Sequence, residues 1–200
     1  MSVPPTPPLL LASISPQRRE ILRQLDIPFD AVEPLYKETP ANQAKGSDPT
    51  IVVTEHARGK ARSVADMAGE RPVLGVDTAV VVDGEVLGKP ADAAEAESML
   101  ERLSGRTHEV VSGLCLVTPA WEELHSETTR VTFRALTARD LAHYVGSREW
   151  ENRAGGYAIQ GLGASLVERL EGDYLNVVGL PAALLVRLLA QRFAGIYGFG

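Results

Sequence analysis

The stretch Val73-Leu74-Gly75-Val76-Asp77-Thr78-Ala79-Val80-Val81-Val82 constrains this chain more than any other: an apolar, β-branched run broken by one charge. A run of this kind reads as a buried strand. Asp83-Gly84 follows it, then Glu85 to Leu87, which is the strongest short-range signal for a tight hairpin. A carboxylate inside such a strand costs on the order of several kcal/mol unless it is paired or holds a metal. Asp77 is therefore the first candidate site residue. The plainer alternative is a carboxylate satisfied by a neighbouring cation or backbone group, or one that faces solvent on an edge strand.

The flanking sequence supplies partners for this strand. Leu9 to Ala12, Phe29 to Val32, Val110 to Thr118 and Thr128 to Phe133 read as further strands, the last two turning near Pro119. Ser15-Pro16 opens a helix that runs to about Leu25, with serine as the cap and proline in the first turn. A longer helix spans Thr50 to Ala68, where Val53, Ala57, Ala61, Val64, Ala65 and Ala68 recur at helical spacing; Gly59 weakens its middle by about 1 kcal/mol relative to alanine. Asp92-x-x-Glu95 and Thr137-x-x-Asp140 start two more helices, and Gly146 closes the second. A last helix opens at Pro181. Lys37 to Pro49 is a polar loop, and Ala154 to Gly163 is glycine-dense. Ser165 to Leu170 and Tyr174 to Val178 read as a hairpin around Glu171-Gly172-Asp173. Helices and strands alternate while hairpins interrupt the rhythm, which predicts an α/β fold with a mixed twisted sheet and helices packed on it. Residues 9–195 form one domain in this reading, with 1–8 and 196–200 as tails.

Composition removes several function classes. Lys plus Arg is 20 and Asp plus Glu is 26, a formal net charge of −6. That balance argues against a broad basic surface for a nucleic acid polymer or an anionic membrane, though not against a local basic cluster. No run approaches the roughly 18 apolar residues of a membrane span, and MSVPPTPPLL lacks the basic start of a secretory signal. The single cysteine, Cys115, is compatible with a reducing compartment and reads as core. The expectation is a soluble cytoplasmic protein, with a homodimer as the base-rate assembly.

Several cations stand where an anion could be gripped. Arg18 and Arg19 lie in the first turn of the Pro16 helix, where free backbone N–H groups and the helix dipole also favour an oxyanion; a solvated first turn is the plain alternative. Lys60 lies along the border of the apolar stripe of the longer helix, placed either to snorkel into water or to reach a cleft. Lys89 follows the hairpin. A two-residue turn at Asp83-Gly84 pairs it with Thr78 and leaves Asp77 on the opposite face, whereas a three-residue turn or a bulge at Gly88 brings Lys89 and Asp77 to one face. His56, His108, His125 and His143 are scattered without metal-ligand spacing. No dinucleotide fingerprint, Walker loop or Gly-x-Ser-x-Gly elbow occurs.

Taken together, the motifs resemble the Maf family of septum-formation-inhibitor-like nucleoside triphosphate pyrophosphatases. Leu11-Ala12-Ser13-Ile14-Ser15-Pro16-Gln17-Arg18-Arg19-Glu20 is similar to its N-terminal signature. Val76-Asp77-Thr78, Gly88-Lys89-Pro90, Leu103-Ser104-Gly105-Arg106-Thr107-His108, Gly156-Tyr157-Ala158-Ile159-Gln160-Gly161, Gly172-Asp173-Tyr174 and Val178-Gly179-Leu180-Pro181 follow in family order. The resemblance implies two lobes around a deep nucleotide cleft. It also implies hydrolysis of a nucleoside triphosphate to monophosphate and diphosphate with a divalent metal, magnesium or manganese. It makes Asp77 the catalytic carboxylate, places Ser13, Arg18, Lys60 and Lys89 on the phosphate-binding wall, and makes Glu38 a second acid that holds the metal with Asp77. Base specificity falls to three positions. The dTTP/UTP branch carries Arg, Thr and Gln where this chain has Gln17, Thr78 and Gln160; the branch acting on 7-methyl-GTP carries Trp, Gln and Glu. Thr78 and Gln160 match the pyrimidine branch, and Gln17 matches neither. Arg153 and Gly156 stand where the family often has Lys and Ala. The alternatives are a broad or 7-methyl-GTP pyrophosphatase, or a non-catalytic nucleotide-binding regulator of cell division.

Overall fold

The structure, a computed structural model, describes residues 7–38 and 46–200. Most of the expected N-terminal lead-in and the middle of the expected polar loop lie outside the described residues. Seven strands form one sheet: β1 (Leu9–Ala12), β2 (Phe29–Val32), β3 (Val73–Val82), β4 (Glu85–Leu87), β5 (Thr107–Val117), β6 (Glu122–Phe133) and β7 (Val167–Glu171). Their order is β2-β1-β3-β5-β6-β7, with β4 added beside β3. β1 pairs in parallel with β2 and β3, and every other pairing is antiparallel. The expected mixed α/β sheet is thus observed.

Period-2 alternation along the central strands feeds two different layers. Leu74 and Val76 of β3 face one layer with Leu114 and Leu116 of β5. There they meet α1 (Pro16–Gln24) through Ile21 and Leu22, and α6 (Ala182–Phe193) through Leu184, Leu185 and Leu188. Farther along the same face, Val80, Val82 and Val110 pack on α3 (Ala93–Leu103) and α4 (Ala138–Ser147). The opposite face, through Val73, Ala79, Val81, Val111 and Cys115, is covered by α2 (Pro49–Arg62), which contributes Val53, Ala57 and Ala61. Buried Cys115 belongs to this packing, and burial pushes its thiol up to about 12. No helix among the described residues is long and apolar enough to cross a membrane.

Two glycines set how closely α2 lies on the sheet. A Cβ on Gly75 would overlap the Ala57 carbonyl, and one on Gly113 would overlap the Val53 carbonyl. Gly113 is the register partner of Asp77. The helix backbone therefore rests directly on the sheet on both sides of that acid.

Four expectations need correction. α2 ends at Arg62 rather than Ala68, because the Ser63 hydroxyl donates to the Lys60 carbonyl and accepts from Leu35 N–H; a short 3₁₀ turn, Ala65–Met67, takes up the remainder. β6 begins at Glu122, since its polar first half pairs with β5 without any apolar pattern. Tyr174–Val178 is not a strand but a helix, α5. The Asp173 side chain caps it on Leu175 N–H at 2.8 Å, and Asn176, fully buried, donates to the Val110 carbonyl and to Thr129. The last residues return to the core rather than trailing away: Tyr197 is buried and its hydroxyl donates to the Pro7 carbonyl.

Because the close approach of α2 depends on Gly75, Gly75→Ala forces the helix off the sheet. It should destabilise the protein by roughly 1–3 kcal/mol, the usual range for overpacking, as read by denaturant unfolding. A variant as stable as the parent contradicts this account of the packing.

Candidate active site

One edge of β3 is occupied at both ends and open in the middle. β1 pairs with it only at Val73 and Leu74, and β4 only from Val80 to Val82. No strand among the described residues pairs with the edge between them. The Asp83-Gly84 turn is the two-residue kind, pairing Val82 with Glu85, and the β4 ladder stops at Leu87. Gly88 then turns away, its carbonyl accepting from Gly155 N–H at 2.9 Å. The open interval holds Asp77 and Thr78, whose side chains leave opposite faces of the sheet. A cavity of about 560 Å³ opens there, walled by eight of the nine expected residues: Ser13, Gln17, Arg18, Glu38, Lys60, Thr78, Lys89 and Gln160. Asp77 stands directly behind this wall, bonded to Lys60.

On the α2 face, the Lys60 ammonium lies 2.6 Å from Asp77 Oδ1 and 2.6 Å from Glu38 Oε1, and donates to the Val76 carbonyl at 3.3 Å. Lys60 is buried, so the snorkelling alternative is set aside. Its three acceptors match the three N–H bonds of an ammonium. His56, one turn earlier on α2, places Nδ1 3.1 Å from Asp77 Oδ2. Burial pushes the Asp77 carboxyl up. The His56 hydrogen bond, the Lys60 charge and hydrogen bond, and the charge of Arg18 outweigh it, so the group sits at about 2. Gly59 lets Tyr36 lie flat on α2, since a Cβ there would overlap the Tyr36 ring, and Tyr36 in turn packs on His56 with ring centroids 5.9 Å apart. The helix-weakening glycine thus holds the segment that carries Glu38.

On the other face, Ser15 caps α1 and Arg18 projects from its first turn. The guanidinium donates to the Gly179 carbonyl at 2.9 Å, to Ser13 Oγ at 3.2 Å and to Thr78 Oγ1 at 3.4 Å. All three are neutral acceptors. Burial pushes Arg18 below its usual range, against the pull of Asp77 and Glu38. Thr78 also shares a 2.8 Å hydrogen bond with Ser112, its register partner. Lys89 is exposed at the cavity wall and pairs with no acid among the described residues. Gln17 accepts from the Ser15 hydroxyl at 3.1 Å, and Gln160 lies exposed at the far side, ahead of a 3₁₀ turn, Gly161–Leu166.

A sheet opened at this point, with acids and cations converging on it, coincides with the motif order of one family. The model of Maf-like proteins matches residues 8–192. The chain belongs to the Maf family. It is 44% identical over 194 residues to a dTTP/UTP pyrophosphatase of Deinococcus radiodurans, covering 97% of this chain and 96% of that one. It is 47% identical over 183 residues to a dTTP/UTP pyrophosphatase of Symbiobacterium thermophilum, covering 92% and 93%. A dTTP/UTP pyrophosphatase of Pyrococcus furiosus is 42% identical over 182 residues, covering 90% and 93%.

Within this Maf chain, Glu38, His56 and Asp77 offer donor atoms that all lie within 4.8 Å of one another. Two of them are carboxylates, the hard oxygen donors that magnesium and manganese take, and both already converge on a positive charge, the Lys60 ammonium. The two carboxylates therefore fit a divalent cation. In the sequence His56 stands among scattered histidines without metal-ligand spacing. The signal that finds it is its place four residues before Lys60, on the same face of one helix.

Behind the cavity wall lies a second buried histidine, His108. Tyr157 lines the cavity, and its hydroxyl is 2.8 Å from His108 Nε2, with Phe133 packed edge-on to both rings. Burial pushes His108 down to about 4. The unfolded chain, with an ordinary value near 6.5, then binds more protons between those pH values. Stability should fall as pH drops from about 6.5 to 4, by roughly 2–3 kcal/mol from this group. Thermal melting of the parent and of His108→Phe across that window measures it: the variant should lose less stability on acidification, and identical pH slopes contradict the assignment.

Proposed function

We propose that the chain hydrolyses dTTP and UTP to the nucleoside monophosphate and diphosphate, by attack of water at the α-phosphorus. The observation that carries this reading is the convergence of Arg18, Lys60 and Lys89 on one cavity beside Asp77. The names of the three relatives above, each a dTTP/UTP pyrophosphatase, support the same substrate class.

A triphosphate brings about four negative charges to a protein that is itself acidic, so a local cationic wall is required. Arg18 and Lys89 have no carboxylate partner among the described residues, which leaves them to phosphate oxygens, with Ser13 and the first backbone N–H groups of α1 as further donors. Glu38 and Asp77 would hold a divalent metal, magnesium or manganese, which when bound supplies neutralising charge to the phosphate oxygens. Asp77 stays ionised throughout the physiological range and aligns the attacking water by accepting its hydrogen bond. As the water oxygen bonds to the α-phosphorus and the bond to the bridging oxygen breaks, Asp77 takes up the proton. The cations stabilise the departing diphosphate. In this reading Gln17, Thr78 and Gln160 select the base. Gln160 can both donate to and accept from a pyrimidine edge, while Thr78, tied to Arg18 and Ser112, sets the depth at which the nucleotide seats. The protein works on free nucleotides in the cytoplasm.

Diphosphate release tests this reading. With magnesium present, dTTP and UTP should turn over well ahead of 7-methyl-GTP and ATP, and Asp77→Asn should lower kcat by roughly 10²–10⁴-fold while melting as a folded protein. Full turnover by Asp77→Asn, or tight UTP binding with no release from the parent at any metal concentration, contradicts it.

A further inference from the structure

We infer that His56 is a positioning residue for the reaction, fixing the plane of the Asp77 carboxylate so that its free lone pairs meet the attacking water. This inference rests on the proposed pyrophosphatase reading and adds to it a residue that the family motifs in this chain do not include.

The argument is geometric. The Asp77 carboxylate has two oxygens, and each is held by a different side chain of α2: Oδ1 by Lys60 Nζ at 2.6 Å, Oδ2 by His56 Nδ1 at 3.1 Å. With Lys60 alone, the carboxylate can still turn about its terminal torsion, which is broad for aspartate. The second contact removes that freedom. An ionised carboxylate only accepts, so Nδ1 carries the proton and donates. His56 is itself immobilised, buried with its side chain 9% exposed and packed against the Tyr36 ring. The backbone of α2 is pinned to the sheet by Gly113, directly opposite Asp77. A buried imidazole held on one side by an aromatic ring and aimed at a strand carboxylate on the other is a support for that carboxylate. Supporting groups of this kind typically set activity by about 10–100-fold.

The test compares three substitutions at this position. His56→Asn keeps an N–H donor at the δ position, where Nδ1 stands. His56→Gln moves the donor one carbon farther out, and His56→Leu removes it. With UTP and magnesium, His56→Leu and His56→Gln should lose roughly 10–100-fold in kcat, with KM for UTP within about twofold of the parent, since the phosphate-gripping cations are untouched. His56→Asn should recover most of the lost rate. In an Asp77→Asn background, His56→Leu should change the residual rate by less than about twofold, because a group that acts through Asp77 has nothing left to position. Thermal melts of every variant separate unfolding from lost positioning; should His56→Leu fail to fold, the Asn and Gln pair decides. Equal rates for His56→Asn and His56→Gln, or a further large loss in the Asp77→Asn background, overturn the inference while leaving the pyrophosphatase reading intact. An inactive parent chain overturns that reading instead.

Discussion

Everything in this site depends on a strand that lacks a neighbour where a neighbour would be expected. β3 is flanked along one edge by β1 at its start and β4 at its end, and no strand among the described residues pairs with the interval between them. Exposed strand edges present unpaired backbone groups that must be satisfied elsewhere. Here the Val76 carbonyl is met by the Lys60 ammonium, and the Asp77 side chain meets the same ammonium. The gap also lets groups from both faces of the sheet reach one space. Glu38 and Lys60 enter from the α2 side, and Arg18, Ser13 and Thr78 from the α1 side. A continuous sheet would have walled these two sets off from each other.

Charge in this space is arranged with unequal satisfaction. Lys60 is saturated by two carboxylates and a carbonyl, whereas Arg18, partly buried, is bonded among the described residues only to neutral oxygens. A buried cation without a counter-ion is costly. Its persistence beside a cavity supports the proposed role of Arg18 in holding an anionic ligand. Asp77 shows the complementary case. Burial pushes its carboxyl up, yet contacts from His56 and Lys60 on one helix bring it down to about 2.

The primary sequence made much of this legible, and the limits have physical causes. Asp77 stood out because a charge in an apolar strand is expensive whatever the fold. Arg18 and Lys89 stand out as cations placed to grip an anion, Ser13 only through motif resemblance, and the cavity brings them together with Lys60. Register could not be chosen beforehand, and the observed two-residue turn would have left Lys89 opposite Thr78; the bend at Gly88 ends the ladder first and carries Lys89 to the cavity. His56 escaped notice because its partner lies 21 residues away in sequence, and only the packing of α2 makes the two adjacent. The need for glycine at positions 75 and 113 has no local signal, since the helix that needs them is not their neighbour in the chain. The helix at Tyr174–Val178 was misread because five residues are too few to express a helical period. The polar half of β6 had no apolar alternation to reveal it.

The most direct measurement is a crystal structure of the chain with magnesium and a UTP analogue whose α,β-bridging oxygen is replaced by NH. The account places the phosphates in the interval between β1 and β4, with Arg18 and Lys89 in hydrogen-bond contact and the α-phosphorus facing Asp77. Phosphates bound elsewhere, with Arg18 and Lys89 untouched and the gap filled only by solvent, would contradict it.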